Sequence, residues 1–330
     1  MTTSYAVTQS PHPEFPDLTQ YVLSSPFDVD VTFVPGAGMV GSSLTQGGQE
    51  LLGMRGGLGA YRESGKTFGI PLLAPWANRL EHTQFGDVTL VTDGTPGVHP
   101  DGNGLPIHGL LAGCPDWQVT RSEAVADGPE VGAWLVAELD FNESRPEFPA
   151  FPFAHVLTVA VHLVDATVEI TTSVRATGNR EVPIAFGWHP YFAPPGGDRQ
   201  DWTVSKPFTH RVVLDDRCVP TGDVERVPVE VDVLGDPTDG GLVFDDLFAQ
   251  VPAGTTAWIE GGKHRITLSY DEGYPYAVLF APPDQALVAI EPMTAPTDPL
   301  SGYFPIAVAA PGETYSATYG IHVTPSGVSA

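Results

Sequence analysis

The stretch HVLTVAVHLVDATVEITTSV, His155–Val174, decides the fold. It sits in the longest run of the chain free of glycine and proline, Phe153 to Thr177. A run that long would suit a helix, but Val, Thr and Ile dominate it. Such β-branched side chains lose rotamer freedom on a helix and pack well on a pleated surface. Leu157, Val159, Val161 and Leu163 fall on one face with a period of two, and Val168, Ile170 and Thr172 resume the alternation after Asp165-Ala166. The stretch therefore reads as a hairpin of two long antiparallel strands.

Working outward, the same signature recurs. Val29–Val34, Met39–Leu44, Val88–Thr92, Trp117–Arg121, Trp134–Phe141, Val182–Trp188, Arg211–Leu214, Thr256–Glu260, Arg265–Tyr270, Ala277–Phe280, Leu287–Glu291 and Tyr315–Val323 all read as strands. Turn residues punctuate nearly every gap: the 330 residues include 36 glycines and 33 prolines, about a fifth of the chain against an average near 12%. No segment shows a sustained 3.6-residue period capped at both ends. The expected class is all-β, with two large antiparallel sheets packed as a sandwich. No internal repeat and no linker divides the chain, so a single domain over 1–330 is expected.

Charge narrows the function. Fifteen basic against forty acidic residues give a net charge of −25, and Lys66, Lys206 and Lys263 are the only lysines. Such a surface repels phosphate backbones and anionic lipid, which argues against nucleic acid and membrane partners. Met1–Gln20 has neither a basic n-region nor an apolar h-region, and no apolar run approaches the ~20 residues of a bilayer span. The expectation is a cytoplasmic protein whose oligomeric state is open. Two cysteines, Cys114 and Cys218, make neither a disulfide framework nor a four-thiolate zinc site.

Several familiar patterns dissolve on inspection. Gly36-Ala37-Gly38-Met39-Val40-Gly41 fits G-x-G-x-x-G, but Gly47-Gly48 arrives too soon for the helix that must hold a pyrophosphate. It reads as a glycine-rich hairpin turn. Gly65-Lys66-Thr67 suggests a phosphate loop, yet the upstream Gly59 is misplaced and Pro71 blocks a following helix. The ten histidines form no metal-ligand pattern, and His155 and His162 fall on opposite faces of one strand. No G-x-S-x-G elbow is present. Cys114 reads as a small buried hydrophobe.

Polar groups that invite a functional reading sit at strand ends beside turns and aromatic residues. Asn78-Arg79 follows Pro75-Trp76, and the arginine fork could grip vicinal hydroxyls or a carboxylate, though an ordinary ion pair explains it equally. In Ile107-His108-Gly109 the glycine allows close approach to the imidazole; a simple turn histidine is the plainer account. His189 lies in Phe186-Gly187-Trp188-His189-Pro190-Tyr191-Phe192, among four aromatics whose faces suit sugar rings. Glu291 follows the apolar run Ala286–Ile290, and Pro292 holds it extended at what reads as the end of a buried strand. Desolvation there raises a carboxyl's pKa and strengthens it as a base. Asp245, in Phe244-Asp245-Asp246-Leu247-Phe248, is a further carboxylate flanked by aromatics.

Taken in order, Asn78-Arg79, His108-Gly109, His189-Pro190-Tyr191-Phe192, Asp245 and Glu291 resemble the aldose 1-epimerase (galactose mutarotase) family, from about Tyr21 to Val323. The resemblance implies a large antiparallel β-sandwich, the supersandwich, with a sugar bound in an open cleft of one sheet. It implies Glu291 as general base on the C1 hydroxyl, His189 as general acid on the ring oxygen and His108 steadying that oxygen. Arg79 and Asp245 would bind sugar hydroxyls, with Asn78 positioning Arg79. It implies a small-molecule sugar as partner, and neither cofactor nor metal. The chain departs from many members after the base, where Pro292-Met293-Thr294 replaces a pattern with glutamine, and after His108-Gly109, where Leu110-Leu111-Ala112-Gly113 lacks an arginine. Those departures touch sugar specificity. Rival readings are a hexose-6-phosphate epimerase, which needs more basic side chains for a dianion, a non-catalytic sugar-binding protein, and a glycosidase using Asp245 and Glu291.

Overall fold

A computed structural model describes residues 4–325. The deciding stretch forms the strands His155–Val164 and Thr167–Ala176, paired antiparallel and joined at Asp165-Ala166. Asp165 takes the left-handed conformation, φ 52°, that a two-residue hairpin turn requires. Leu157, Val159, Val161, Leu163, Val168 and Ile170 are all at most 1% exposed, so alternation did mark the inward face. Each such side chain contributes ~1.5–3 kcal/mol by leaving water.

This hairpin lies within a nine-stranded antiparallel sheet. In spatial order its strands are Glu230–Val233, Thr203–Lys206, Thr255–Gly261, His264–Glu272, Thr314–Pro325, Thr167–Ala176, His155–Val164, Gly132–Phe141 and Gln118–Val125. A second sheet runs Pro220–Arg226, His210–Leu214, Phe244–Ala249, Tyr276–Ala281, Val288–Met293, Gly187–Trp188 and Leu72–Leu73, with Tyr191–Phe192 also paired to Val288–Met293. Inward residues of both sheets, among them Val159, Ile170 and Tyr319 from the first and Leu279, Val288 and Ile290 from the second, meet in one apolar cluster. A five-stranded meander from Ala6–Pro11 to Gln49–Glu50 completes the β structure beside them. The all-β sandwich is thus the observed architecture. No helix among the described residues is long and apolar enough to cross a membrane.

Three local expectations need correction. Val182–Trp188 is not one strand but two short ones, Val182–Pro183 and Gly187–Trp188. Between them the chain changes partner: Ile184 N–H donates to Ala307 O and Ala185 O accepts from Ala77 N–H. Glu291 is not at a strand end. Its strand, Val288–Met293, continues through Pro292, which sits opposite Ala277. The strands Ala6–Pro11, Thr19–Ser24, Thr203–Lys206, Pro220–Arg226, Glu230–Val233 and Phe244–Ala249, the last carrying Asp245, and the helix Gly57–Ser64 were not expected. That helix buries only Leu58 and Tyr61, too few contacts to write a period. It also precedes Gly65-Lys66-Thr67, with Gly65 as its left-handed C-cap, the wrong end for a phosphate cradle. The glycine-rich segment after Val34 is, as read, a connection between paired strands, closed by the short 3-10 turn Pro35–Ala37.

Candidate active site

The second sheet has an outward face, and the alternation of Val288–Met293 puts Glu291 on it. Val288 and Ile290 point to the core, whereas Leu287, Ala289 and Met293 join apolar clusters on the other side. Glu291 stands opposite Val278, which stands opposite Leu247, so the carboxyl rises from an apolar floor. It is 1% exposed.

His189 reaches it from the segment linking Gly187–Trp188 and Tyr191–Phe192. Gly187 pairs with Met293 and Tyr191 with Ala289, so His189, midway between them, comes level with Glu291. Glycine at 187 makes room for the approach: a Cβ there would lie 2.1 Å from Sδ of the buried Met293, which would have to move, and 3.0 Å from Pro292 O. His189 Nε2 is 3.1 Å from Glu291 Oε1 and 3.0 Å from the Tyr191 hydroxyl. Its ring stacks on Tyr191 at 4.1 Å between centroids and meets the edge of Phe280 at 5.8 Å.

His108 stands edge-on to His189, ring centroids 5.7 Å apart. Two segments place it. Leu110 N–H donates to Ala74 O, His108 N–H to Asn78 O and Leu80 N–H to Pro106 O. Both Asn78 (φ 54°) and His108 (φ 64°) are left-handed, a strain that the lacing of the two segments over-determines. Asn78 therefore holds His108 through its backbone. The fork of Arg79 is held instead by Asp101, Nε to Oδ2 2.7 Å, an acid that the sequence reading missed.

Asp245 lies further along the same outward face, opposite Phe280. It is exposed, and Cys218 Sγ is 3.8 Å from its Oδ2. Also missed were Arg55 and Gln285 at the surface and Thr67, buried beneath them. Arg55 Nη1 donates to the Tyr191 hydroxyl at 2.8 Å, and its Nε donates to Gln285 at 3.1 Å. Arg55 lies 134 residues from His189 in sequence, without aromatic neighbours, so only the fold could reveal it.

Electrostatics oppose the two central groups. Burial pushes Glu291 well above the usual carboxylate range; Asp245 adds to this, and Arg79 and Arg55 offset part of it. Burial pushes His189 well below the usual imidazole range, helped by His108 and Arg55. His108 is brought down to about 3, chiefly by burial and then by Arg79 and Arg55. Desolvation raises Asp245 against the pull of Arg79. Buried polar atoms without a protein partner include Glu291 Oε2, His189 Nδ1, His108 Nδ1 and Asn78 Nδ2. Buried polar groups are normally satisfied, so this concentration suits a ligand dense in hydroxyls.

One other cluster is suggestive in composition: Glu81, His82 and Asp298 bring ligand-type atoms within 4.8 Å of one another. Its acceptors are already used. Asp298 takes the N–H groups of Glu81 and His82 and the His82 ring, and Glu81 pairs with Arg217 at 2.7 Å. Asp298 N–H also donates to Arg79 O, so the cluster anchors the segment that carries Arg79.

Comparison with known proteins agrees with this architecture. The fold is similar to a galactose mutarotase-like protein from Clostridium acetobutylicum, with a TM-score of 0.82 and 17% identity over 98% of this chain and 100% of that one. It is similar to galactose 1-epimerase from Lactobacillus acidophilus NCFM, TM-score 0.71 and 15% identity over 93% and 95%. A GalM/aldose epimerase homologue from C. elegans gives 0.69 and 17% over 91% and 96%. A search of curated proteins by sequence found no match. The sequence model of the family described as aldose 1-epimerase matches residues 34–322, and the chain belongs to that family.

Proposed function

We propose that this protein interconverts the α and β anomers of a free aldohexose, with Glu291 and His189 as the acid–base pair. The observation that carries the reading is their buried contact at 3.1 Å, with pKa values pushed in opposite directions. Such a pair holds one proton between two groups of inverted affinity. With the proton on His189, Glu291 is a carboxylate able to take the C1 hydroxyl proton while His189 gives its own to the ring oxygen. Ring opening thus moves one proton from His189 through the sugar to Glu291. Rotation about C1–C2 and closure return it, and the pair's proton count never changes. Burial favours the neutral pair, the state reached once the ring has opened. His108 would steady the ring oxygen, and Arg79, fixed by Asp101, and Asp245 would take sugar hydroxyls. Each positioned acid or base contributes typically ~10²–10⁴-fold. The reaction requires no cofactor and suits a cytoplasmic sugar pool.

The test is the optical rotation of freshly dissolved α-D-glucose and α-D-galactose. Acceleration that Glu291→Gln abolishes is the expected result. No acceleration of either sugar at high protein concentration sinks this reading and leaves a phosphorylated sugar or sugar binding without catalysis. A second reading gains from one observation. Arg55 stands exposed at the rim, and its guanidinium is held by neutral groups: Tyr191, Thr67 and Gln285. A phosphorylated hexose could use that charge, and glucose 6-phosphate in the same assay decides between the two substrates.

A further inference from the structure

The Tyr191 side chain is buried, and its hydroxyl has three neighbours: Arg55 Nη1 at 2.8 Å, Thr67 Oγ1 at 2.6 Å and His189 Nε2 at 3.0 Å. A phenol has one hydrogen and two lone pairs, and a guanidinium can only donate. Arg55 therefore occupies one lone pair. One hydrogen and one lone pair remain for Thr67 and His189, and they can be shared in two ways. If Thr67 donates to Tyr191, Tyr191 donates to a bare Nε2. If Tyr191 donates to Thr67, it can share with Glu291 Oε1 the single hydrogen of a protonated Nε2. Each protonation state of Nε2 thus has one matching arrangement of the two hydroxyls. The ring is confined as well, stacked on Tyr191 and bounded by Phe280. Turning it over would bring a carbon where Nε2 meets both Glu291 and Tyr191.

We propose that Tyr191, anchored by Arg55 and gated by Thr67, is a positioning residue that keeps Nε2 of His189 beside Glu291 in both of its protonation states. The imidazole can then release and regain its proton by a rotation of two hydroxyls, with no movement of its ring. Arg55 fixes the phenol oxygen from outside: its guanidinium lies 5.0 Å from the Tyr191 ring centre while its Nε holds Gln285. This inference rests on the acid–base reading of His189 given above.

Tyr191→Phe keeps the stacked ring and removes only the hydroxyl; Thr67→Val keeps the shape and removes the partner. Tyr191→Phe is expected to lower kcat by about tenfold or more, a part of what a positioned acid supplies, with KM changed less than about twofold. The acid limb of the kcat–pH profile should move. Thr67→Val should lower kcat less, and the double variant should be no worse than Tyr191→Phe alone, because both cut one link. The ring ¹⁵N signals of His189, read by NMR, should shift in Tyr191→Phe. An unchanged kcat, or a loss confined to KM, overturns the proposal. So do additive losses in the double variant. If the wild-type protein accelerates no sugar, the acid–base reading fails by itself, and the NMR comparison still judges the link: unshifted His189 signals overturn it. Should Tyr191→Phe fail to fold, Thr67→Val alone carries both readouts.

Discussion

Glu291 shows what a buried acid costs the protein that carries it. Its carboxyl is pushed well above its ordinary value of 4.5. A group with a raised folded pKa favours folding while it is protonated, and that contribution is lost as pH rises through the folded value. At neutral pH the wild-type chain therefore bears a penalty that an uncharged amide does not. Glu291→Gln should raise Tm at pH 7 by roughly 2 °C or more while removing activity. The difference should shrink as pH falls towards 4.5. A variant no more stable than wild type at pH 7 would show that His189 and the arginines already compensate the charge. At this scale the sequence was informative where chemistry is loud. His189 and Glu291 could be picked out and lie in contact, but three of the four aromatics that drew attention to His189, Phe186, Trp188 and Phe192, belong to the core, and only Tyr191 stacks on the imidazole. Arg55, Thr67 and Asp101 could not, because their roles come from contacts made across the fold, Arg55 with Tyr191 lying 136 positions away.

Elements were legible in proportion to their regularity. The Phe153–Thr177 run announced two strands because alternation, β-branching and a two-residue turn agreed. The segments that shape the site are irregular: 74–80 and 106–110 form isolated bridges in place of strands. Their order comes from backbone lacing and left-handed residues, which leave little trace in composition beyond a glycine. Gly109 is that trace. With φ 73° and Ala74 O 2.1 Å from where a Cβ would stand, it lets the two segments close and places His108. Gly109→Ala should destabilise the fold by at least ~2 kcal/mol, since left-handed strain alone costs ~1–3 kcal/mol. Activity should fall tenfold or more as His108 is displaced. Denaturant unfolding and the optical-rotation assay check both halves. Wild-type stability in this variant would mean that the segments can part without cost. Pro292 taught the opposite lesson: its ring reads as a strand terminator, but the ladder tolerates it opposite Ala277 and carries the strand on to Met293.

The whole molecule carries a net charge of −25, and its many arginine–carboxylate pairs are mostly exposed and individually weak. Self-repulsion should dominate them. Raising ionic strength from about 0.01 M to about 0.1 M shortens the screening length from about 30 Å to about 10 Å, and Tm should rise. A fall in Tm over that range would mean that the ion pairs outweigh the repulsion. The sandwich class was readable at this scale because hydrophobic period and turn frequency both speak to it; the order of strands was not, since no local pattern says which strand lies beside which. That order has a consequence for how the chain is made. The strand Thr314–Pro325 lies between Thr167–Ala176 and His264–Glu272, joining the two halves of the larger sheet. During synthesis both halves emerge from the ribosome before it, each presenting a bare hydrogen-bonding edge to the other and to neighbouring nascent chains. The keystone arrives after its supports, so a stall or cleavage shortly before residue 314 would release not a slightly shortened protein but two open half-sheets.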